Sequence, residues 1–193
     1  MKATQLEGIA ARGEERSPFY QKNKAICEAW EQFFISKEGI LKGKYSAWAL
    51  ILKGKIGAVN NGFWKIEVNK STMGGGDSLL FPSAKNITGH TIFELSNIEA
   101  FETSFKIMPK RFINGLKTKI LPNFQILNTD FIVENEQCFS DHQLAILQFL
   151  TIRQTKTKLK KVEYKQCENT LKIEYNGVME DFDFVEKLVR MEM

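Results

Sequence analysis

The side chains best suited to acid–base or metal chemistry are Cys138, Asp141 and His142, which lie close together in the sequence. A carboxylate beside an imidazole could work as an acid–base pair, and the thiol could serve as nucleophile or metal ligand. A zinc site, however, normally needs three or four convergent ligands, and the chain has only 2 histidines. Asp141 is also explained as an acidic residue in the first turn of a helix. The sequence therefore predicts no catalytic residue, metal or cofactor here.

Two other patterns could carry chemistry. Residues 74–77, Gly-Gly-Gly-Asp, could cradle a phosphate, but they lack the Gly-x-x-x-x-Gly-Lys-Ser/Thr spacing and no helix clearly begins after them. Asp181 and Asp183 could form a carboxylate pair, but two positions apart on a helix they face different directions. We interpret the glycines as a flexible connector and the aspartates as charges that complement a helix dipole.

The strongest functional signal is a pair of basic stretches, residues 106–119 and 153–165. The first lies within a segment, 103–129, that has no acidic residue, and the second contains only Glu163 in opposition. If both stretches share one surface, they form a footprint for an anionic membrane or a nucleic acid. The residues predicted to bind the anion are Lys110, Arg111, Lys117, Lys119, Lys158, Lys160 and Lys161.

Two interpretations of these charges stay open at the level of sequence. A nucleic-acid binder needs exposed aromatic rings on which bases can stack, and Trp64 or Phe112 could supply them, although no RNP-like or helix-turn-helix signature is present. The competing interpretation is that the lysines and arginines only solvate one helix and one hairpin, because runs of charge usually increase solubility.

The composition is that of a globular protein. A chain of 193 residues with 43% hydrophobic and 26% charged residues suits one domain or two packed lobes, and its 15 phenylalanines indicate aromatic packing. The 3 cysteines are scattered and odd in number, which favours a reducing compartment. The first residues lack the apolar segment of a secretory signal, and no apolar run approaches the about 20 residues of a membrane span. We therefore expect a cytoplasmic protein that does not cross a membrane.

Four segments are predicted as helices. Residues 140–154 begin with a capping box, Ser140 and Gln143, and are apolar around most of their circumference, so packing from two sides is expected. Ser17 followed by Pro18 predicts the start of a helix over 18–35. The other two are a basic amphipathic helix over 110–119 and a final helix over 180–191.

Short segments rich in branched and aromatic residues are predicted as strands. Asn60, Asn61 and Gly62 tolerate a tight turn and predict a hairpin into residues 63–69. A second hairpin is predicted over 158–175, and a loop over 71–83. The predicted strands are 45–53, 55–59, 63–69, 91–95, 104–108, 124–127, 131–134, 158–165 and 170–175.

The order of these elements predicts an α+β fold with a mainly antiparallel sheet, because strands and helices do not alternate regularly. We expect an N-terminal helix, a strand-rich middle, and a mixed helix and antiparallel-sheet C-terminal lobe that ends in a helix. Residues 1–16 are expected to be a flexible lead-in. Residues 17–193 are expected to form a single domain, which could contain two packed lobes, 36–100 and 101–193.

Several short motifs resemble an uncharacterised bacterial domain family, a domain of unknown function. They are the Phe-x-Ile-x-Pro strand at Phe105, the stretch that ends in Asp130-Phe131, the helix that begins after Ser140, and the hairpin at Leu171. Members of that family often carry two membrane-spanning helices near the N-terminus, which are absent from this sequence. The resemblance implies the fold and no particular activity.

The leading hypothesis is a non-enzymatic interaction or ligand-sensing domain of a bacterial cytoplasmic or membrane-peripheral protein, with an unknown protein or small ligand as partner. The alternative is a binder of acidic lipid or, second, nucleic acid that uses the two basic stretches. A hydrolase or transferase is the third hypothesis. The positions of the basic residues test the alternative, since an anion-binding surface needs these residues exposed on one face.

Overall fold

The computed structural model describes residues 4–58, 62–73, 86–97, 101–110, 124–127, 130–134, 139–152 and 157–191. The helices are α1 (Pro18–Ser36), α2 (Asp141–Leu150) and α3 (Phe182–Val189). The strands are β1 (Thr4–Gly8), β2 (Ile40–Tyr45), β3 (Ala49–Gly57), β4 (Phe63–Met73), β5 (Asn86–Ser96), β6 (Phe105–Pro109), β7 (Phe124–Ile126), β8 (Phe131–Glu134), β9 (Lys158–Lys165) and β10 (Thr170–Asn176). The predicted α+β class is confirmed.

All ten strands belong to one mixed sheet in the order β1-β2-β3-β4-β5-β10-β9-β6-β8-β7. Strand β1 runs parallel to β2, and every other pair is antiparallel. Strand β5 pairs with β10 along seven residues, from Thr170–Ser96 to Asn176–His90. The sheet therefore runs without interruption from residues 36–100 into residues 101–193.

The prediction of an N-terminal helix as the first element is wrong, because strand β1 precedes α1. Residues 4–8 lie within the segment that was expected to be a lead-in, yet they pair with β2 from Thr4–Leu41 to Gly8–Tyr45. The Thr4 hydroxyl also donates to the Glu31 carboxylate at 2.8 Å. A short polar strand of this kind is stabilised by backbone partners from another segment, so its own sequence gives little sign of it.

The three helices pack on one face of the sheet, which we call the helix face. Trp30 of α1 lies 6.5 Å from the Phe93 ring of β5, measured between ring centroids. Phe184 of α3 makes an edge-to-face contact with Tyr175 of β10 and stacks on Phe149 of α2. These aromatic contacts hold the helices on the sheet and define the core.

Helix α2 begins as predicted. The Ser140 hydroxyl accepts from the Gln143 N–H, and the Gln143 side chain accepts from the Ser140 N–H, which completes the capping box. Ile146, Leu147 and Leu150 are buried, and Phe149 stacks on Phe184 of α3. Ile152 is exposed beyond the helix end. Helix α2 therefore contacts both the sheet, through the Tyr175 hydroxyl, and α3.

Most other predicted elements are confirmed with shifted ends. Helix α1 begins at Pro18, and the Ser17 hydroxyl accepts from the Phe19 N–H as an N-cap. Both hairpins form, with β3 paired to β4 and β9 paired to β10. Strand β4 continues through residues 71–73, which were predicted to be loop. The rest of that loop, residues 74–83, and the predicted helix after residue 110 lie outside the described residues.

Candidate anion-binding face

The face of the sheet opposite the helices is rich in lysine, and we call it the outer face. In β3 the alternation is clear, since Leu50 and Leu52 are buried while Ile51 and Lys53 are exposed. Directly paired residues lie on the same side of a sheet, so the strand registers identify the outer face in the other strands. Its lysines are Lys42, Lys44, Lys53, Lys55, Lys65, Lys106, Lys158, Lys160, Lys161, Lys165 and Lys172.

The outer face holds an excess of positive charge. Among the described residues it carries these eleven lysines against six glutamates, Glu7, Glu67, Glu94, Glu134, Glu163 and Glu174. The excess of five exceeds the formal net charge of the whole chain, which is +4. Within the described part of the chain, positive charge is therefore concentrated on one side of the sheet.

Ion pairs link many of these side chains to residues of neighbouring strands. Lys65 lies 2.7 Å from Glu94 and Lys53 lies 3.1 Å from Glu67, in each case between the amine nitrogen and a carboxylate oxygen. Burial alone would raise the pKa of Glu174, but hydrogen bonds from Lys160 and Lys172 outweigh burial and lower it. The glutamates are thus charged partners of neighbouring lysines, and among the described residues of this face the lysines outnumber them by five.

The structure brings together only part of the set predicted from sequence. Lys158, Lys160 and Lys161 share the outer face with Lys106, although Lys160 and Lys161 are paired with Glu174 and Glu163 at 3.0 and 2.6 Å. Lys110 is half-buried at the end of β6, where its N–H donates to the Asp130 carbonyl. The remaining predicted residues, Arg111, Lys117 and Lys119, lie outside the described residues.

Sequence reasoning missed the lysines of the first half of the sheet, Lys42, Lys44, Lys53, Lys55 and Lys65. They are not contiguous in the sequence, and their strands also contain Ile51 and Glu67, so no local run of charge marks them. A signal was present in the alternation of Lys53 and Lys55 with the buried Leu52 and Ile56. This alternation indicates that the lysines of one strand share a face. It does not identify the strands that lie beside that strand.

The aromatic residues weigh against base stacking on the outer face. Trp64, a predicted stacking residue, is fully buried on the helix face, and Phe112 lies outside the described residues. Phe63 is on the outer face, but the Lys55 amine lies 3.6 Å from its ring centroid and the Lys65 amine 5.5 Å. A ring covered by lysine side chains offers little free surface to a base.

Two of the three residues considered for acid–base chemistry are described, and they lie at the start of α2. Asp141 and His142 are exposed in the first turn of α2, and Cys138 lies outside the described residues. No group of three or more His, Cys, Asp and Glu side chains in the described part of the chain could hold a metal. Asp181 caps α3, because its carboxylate accepts from the Phe184 N–H at 3.0 Å. Burial raises the pKa of the Cys27 thiol to about 12, so that thiol is held in its unreactive neutral form.

A hydrogen-bonded turn ends the β2–β3 hairpin at one end of the sheet. We call residues 46–49 the hairpin tip. The Ser46 hydroxyl accepts from the N–H groups of Trp48 and Ala49, both at 3.2 Å. The Ala47 N–H donates to the Glu14 carboxylate at 2.6 Å, which ties the tip to the turn before α1.

The hydrogen bond between the Glu14 carboxylate and the hairpin tip should depend on pH. Hydrogen bonds from the Ala11 and Ala47 N–H groups lower the pKa of Glu14 below its usual value of 4.5. Because the folded-state pKa is lowered, the hydrogen bond from the Ala47 N–H to the Glu14 carboxylate is fully formed above about pH 4.5. It is lost as the pH falls through the folded-state pKa. We expect the Ala47 amide proton shift, followed by NMR, to titrate below 4.5. The shift should be insensitive to acid in Glu14→Gln and unchanged in the neighbouring control Glu15→Gln; a pH-independent shift in the unsubstituted protein would contradict this assignment.

The fold and the site define an α+β protein whose sheet is covered by helices on one face and rich in lysine on the other. Within the described residues, no helix is both long enough and apolar enough to span a bilayer. No family model, curated protein or solved structure matches the chain. The resemblance to the uncharacterised bacterial family therefore stays a prediction.

Proposed function

We propose that the protein is an interaction domain that binds an anionic lipid surface through its outer face. The observation that carries the proposal is the excess of five lysines over glutamates among the described residues of one continuous face of the sheet. The lysines of this face come from six strands. A membrane-peripheral location at the cytoplasmic side, where anionic lipids attract polybasic surfaces, belongs to the same proposal.

The size of the lysine excess fits reversible membrane binding. Each lysine near an anionic bilayer contributes about 1 kcal/mol, and the glutamates on the face subtract from the total. An excess of five charges then corresponds to about 5 kcal/mol, which is a binding constant on the order of 10³–10⁴ M⁻¹. Such binding is weak enough to be reversed by salt, because a shorter Debye length screens exposed charges.

The chemistry of the outer face favours lipid over nucleic acid. Its cations are all lysine, and the described strands contain no arginine, the side chain that best forms paired hydrogen bonds with phosphate and base edges. Ile40 and Ile51 are exposed among the lysines. A surface of point charges with aliphatic side chains between them suits a diffuse layer of lipid headgroups better than an ordered polynucleotide.

Co-sedimentation with vesicles tests the proposal. The full chain should pellet with phosphatidylcholine vesicles that contain phosphatidylserine, should stay in solution with phosphatidylcholine alone, and should be released by high salt. Equal binding to both vesicles, or binding to neither, would contradict it. A parallel titration with single-stranded RNA tests the nucleic-acid alternative. Tighter binding to RNA than to anionic vesicles would also reject the proposal of a lipid-binding surface.

A further inference from the structure

Two pairs of lysines lie directly opposite each other on the outer face. Lys42 of β2 is paired with Lys53 of β3, and Lys55 of β3 is paired with Lys65 of β4. All four side chains are exposed, and we call these residues the lysine cluster. Like charges that face each other across two strands destabilise a sheet. The arrangement therefore lowers the stability of the sheet unless an anion neutralises it.

Carboxylates compensate only half of the lysine cluster. The Lys53 amine lies 3.1 Å from a Glu67 oxygen, and the Lys65 amine lies 2.7 Å from a Glu94 oxygen. The other two lysines form no ion pair with any residue in the described part of the chain. Four lysines with two glutamates leave two positive charges uncompensated in this part of the outer face.

The two uncompensated lysines, Lys42 and Lys55, are diagonal neighbours on β2 and β3. Across their other strand contacts, Lys42 is paired with Gln5 and Lys55 with Ile40, neither of which is acidic. Diagonal positions on adjacent strands are about 7–8 Å apart, which is within reach of long side chains. The amines of Lys42 and Lys55 can therefore contact the same anion.

An aromatic ring positions part of the lysine cluster. The Lys55 amine lies 3.6 Å from the centroid of the Phe63 ring, and the Lys65 amine lies 5.5 Å from it. The negative face of the ring attracts both ammonium groups without neutralising their charge. An ammonium group has three N–H donors, so the contact with the ring leaves donors for an anion. Ordering of this kind before binding lowers the entropy lost on binding.

Exposed aliphatic side chains border the lysine cluster on the same face. Ile40 is paired with Lys55 and is 55% exposed. Ile51, two positions before Lys53 in β3, is 50% exposed. Binding to a lipid surface gains from apolar contact as well as from charge, whereas a free phosphate gains from charge alone. The surroundings of the cluster therefore favour a lipid as the source of the anion.

We propose that the lysine cluster binds the phosphate monoester of a lipid headgroup, with Lys42 and Lys55 as the contacting residues. A phosphate monoester carries a charge of about −1.5 to −2 at pH 7 and three acceptor oxygens, which matches the two uncompensated lysines. A phosphodiester headgroup carries a single charge and would compensate only one of them. This inference rests on the proposed function, because the other lysines of the outer face supply the general attraction to the bilayer.

Vesicles that differ in headgroup test the inference. Phosphatidylcholine vesicles with phosphatidic acid present a phosphate monoester, and those with phosphatidylglycerol present a phosphodiester; the two compositions are adjusted to equal surface potential. The full chain should bind the phosphatidic acid vesicles roughly ten-fold more tightly. The Lys42→Gln/Lys55→Gln variant should bind both vesicles with equal affinity, and its circular dichroism verifies that the fold is kept.

A matched variant removes the same charge elsewhere on the outer face. Lys106 and Lys158 also form no ion pair within the described part of the chain, and they lie in β6 and β9 with no lysine paired opposite. Lys106→Gln/Lys158→Gln should weaken binding to both vesicles and keep the preference for phosphatidic acid. Loss of the preference in this variant as well would mean that total charge sets it, which would overturn the inference.

The outcomes separate the two proposals. Equal binding of the unsubstituted protein to the two vesicles would overturn the role of the lysine cluster while the proposed function stands. Soluble glycerol 3-phosphate should compete poorly; displacement from phosphatidic acid vesicles at an equal concentration of phosphate monoester would overturn the lipid as its source. Failure to bind either anionic vesicle would reject the proposed function and this inference together.

Discussion

Replacing Lys42 and Lys158 by glutamate should weaken binding to anionic vesicles on the order of a hundred-fold or more, because each lysine contributes about 1 kcal/mol and each glutamate adds repulsion. Both side chains are exposed. They lie in β2 and β9, about 24 Å apart by five strand spacings. The double variant therefore tests the outer face as one surface. Co-sedimentation at low salt gives the measurement.

A matched control keeps the net charge equal and changes only the location. Lys24 and Lys187 belong to α1 and α3, so the Lys24→Glu/Lys187→Glu variant has the same total charge as Lys42→Glu/Lys158→Glu. The control should bind within about three-fold of the unsubstituted protein, since its substitutions lie on the helices. Equal losses in the two variants would mean that net charge alone drives binding, and the outer face would have no special role.

Replacing Trp30 by alanine should lower the free energy of unfolding by about 3–5 kcal/mol, the usual cost of truncating a large buried aromatic side chain. The Trp30 ring is fully buried between Phe34, Phe93 and Phe182. Its N–H also donates to the Met179 carbonyl at 3.2 Å, so truncation leaves a buried acceptor without this donor. Urea denaturation followed by circular dichroism measures the loss.

The comparison for this stability effect is the same substitution at an exposed tryptophan. Trp48→Ala should cost about 1 kcal/mol or less, because about half of that side chain is already in water. If Trp30→Ala is too unstable to purify, Trp30→Phe keeps an aromatic ring and should show an intermediate loss. A Trp30→Ala protein as stable as Trp48→Ala would show that α1 is not anchored to the sheet through this ring.

The hairpin tip is held by side chains from distant parts of the chain. Glu14, Asn23 and Lys70 come from three separate segments and converge on it. Burial lowers the pKa of Lys70, and the nearby Lys22 lowers it further. A lysine placed in this way interacts with Asn23 at some cost in hydration, which supports a structural role in positioning the tip rather than a role in the outer face.

The sequence by itself determined the local elements. The Ser140 and Gln143 capping box, the Ser17-Pro18 start of α1 and the alternation in β9 and β10 all depend on residues a few positions apart. Interactions over such short distances along the chain are fixed by local backbone geometry. The α+β class follows from the order of these elements.

The tertiary structure decided the pairing of distant segments and the candidate site. Strand β1 exists because β2 offers it backbone partners, and the buried side of α2 is set by the positions of the sheet and α3. Alternation places a strand's lysines on one side but does not identify the neighbouring strand. The outer face, which joins Lys42 in β2 to Lys158 in β9, and the exposure of Trp48 therefore arise only from the order in which the strands pair.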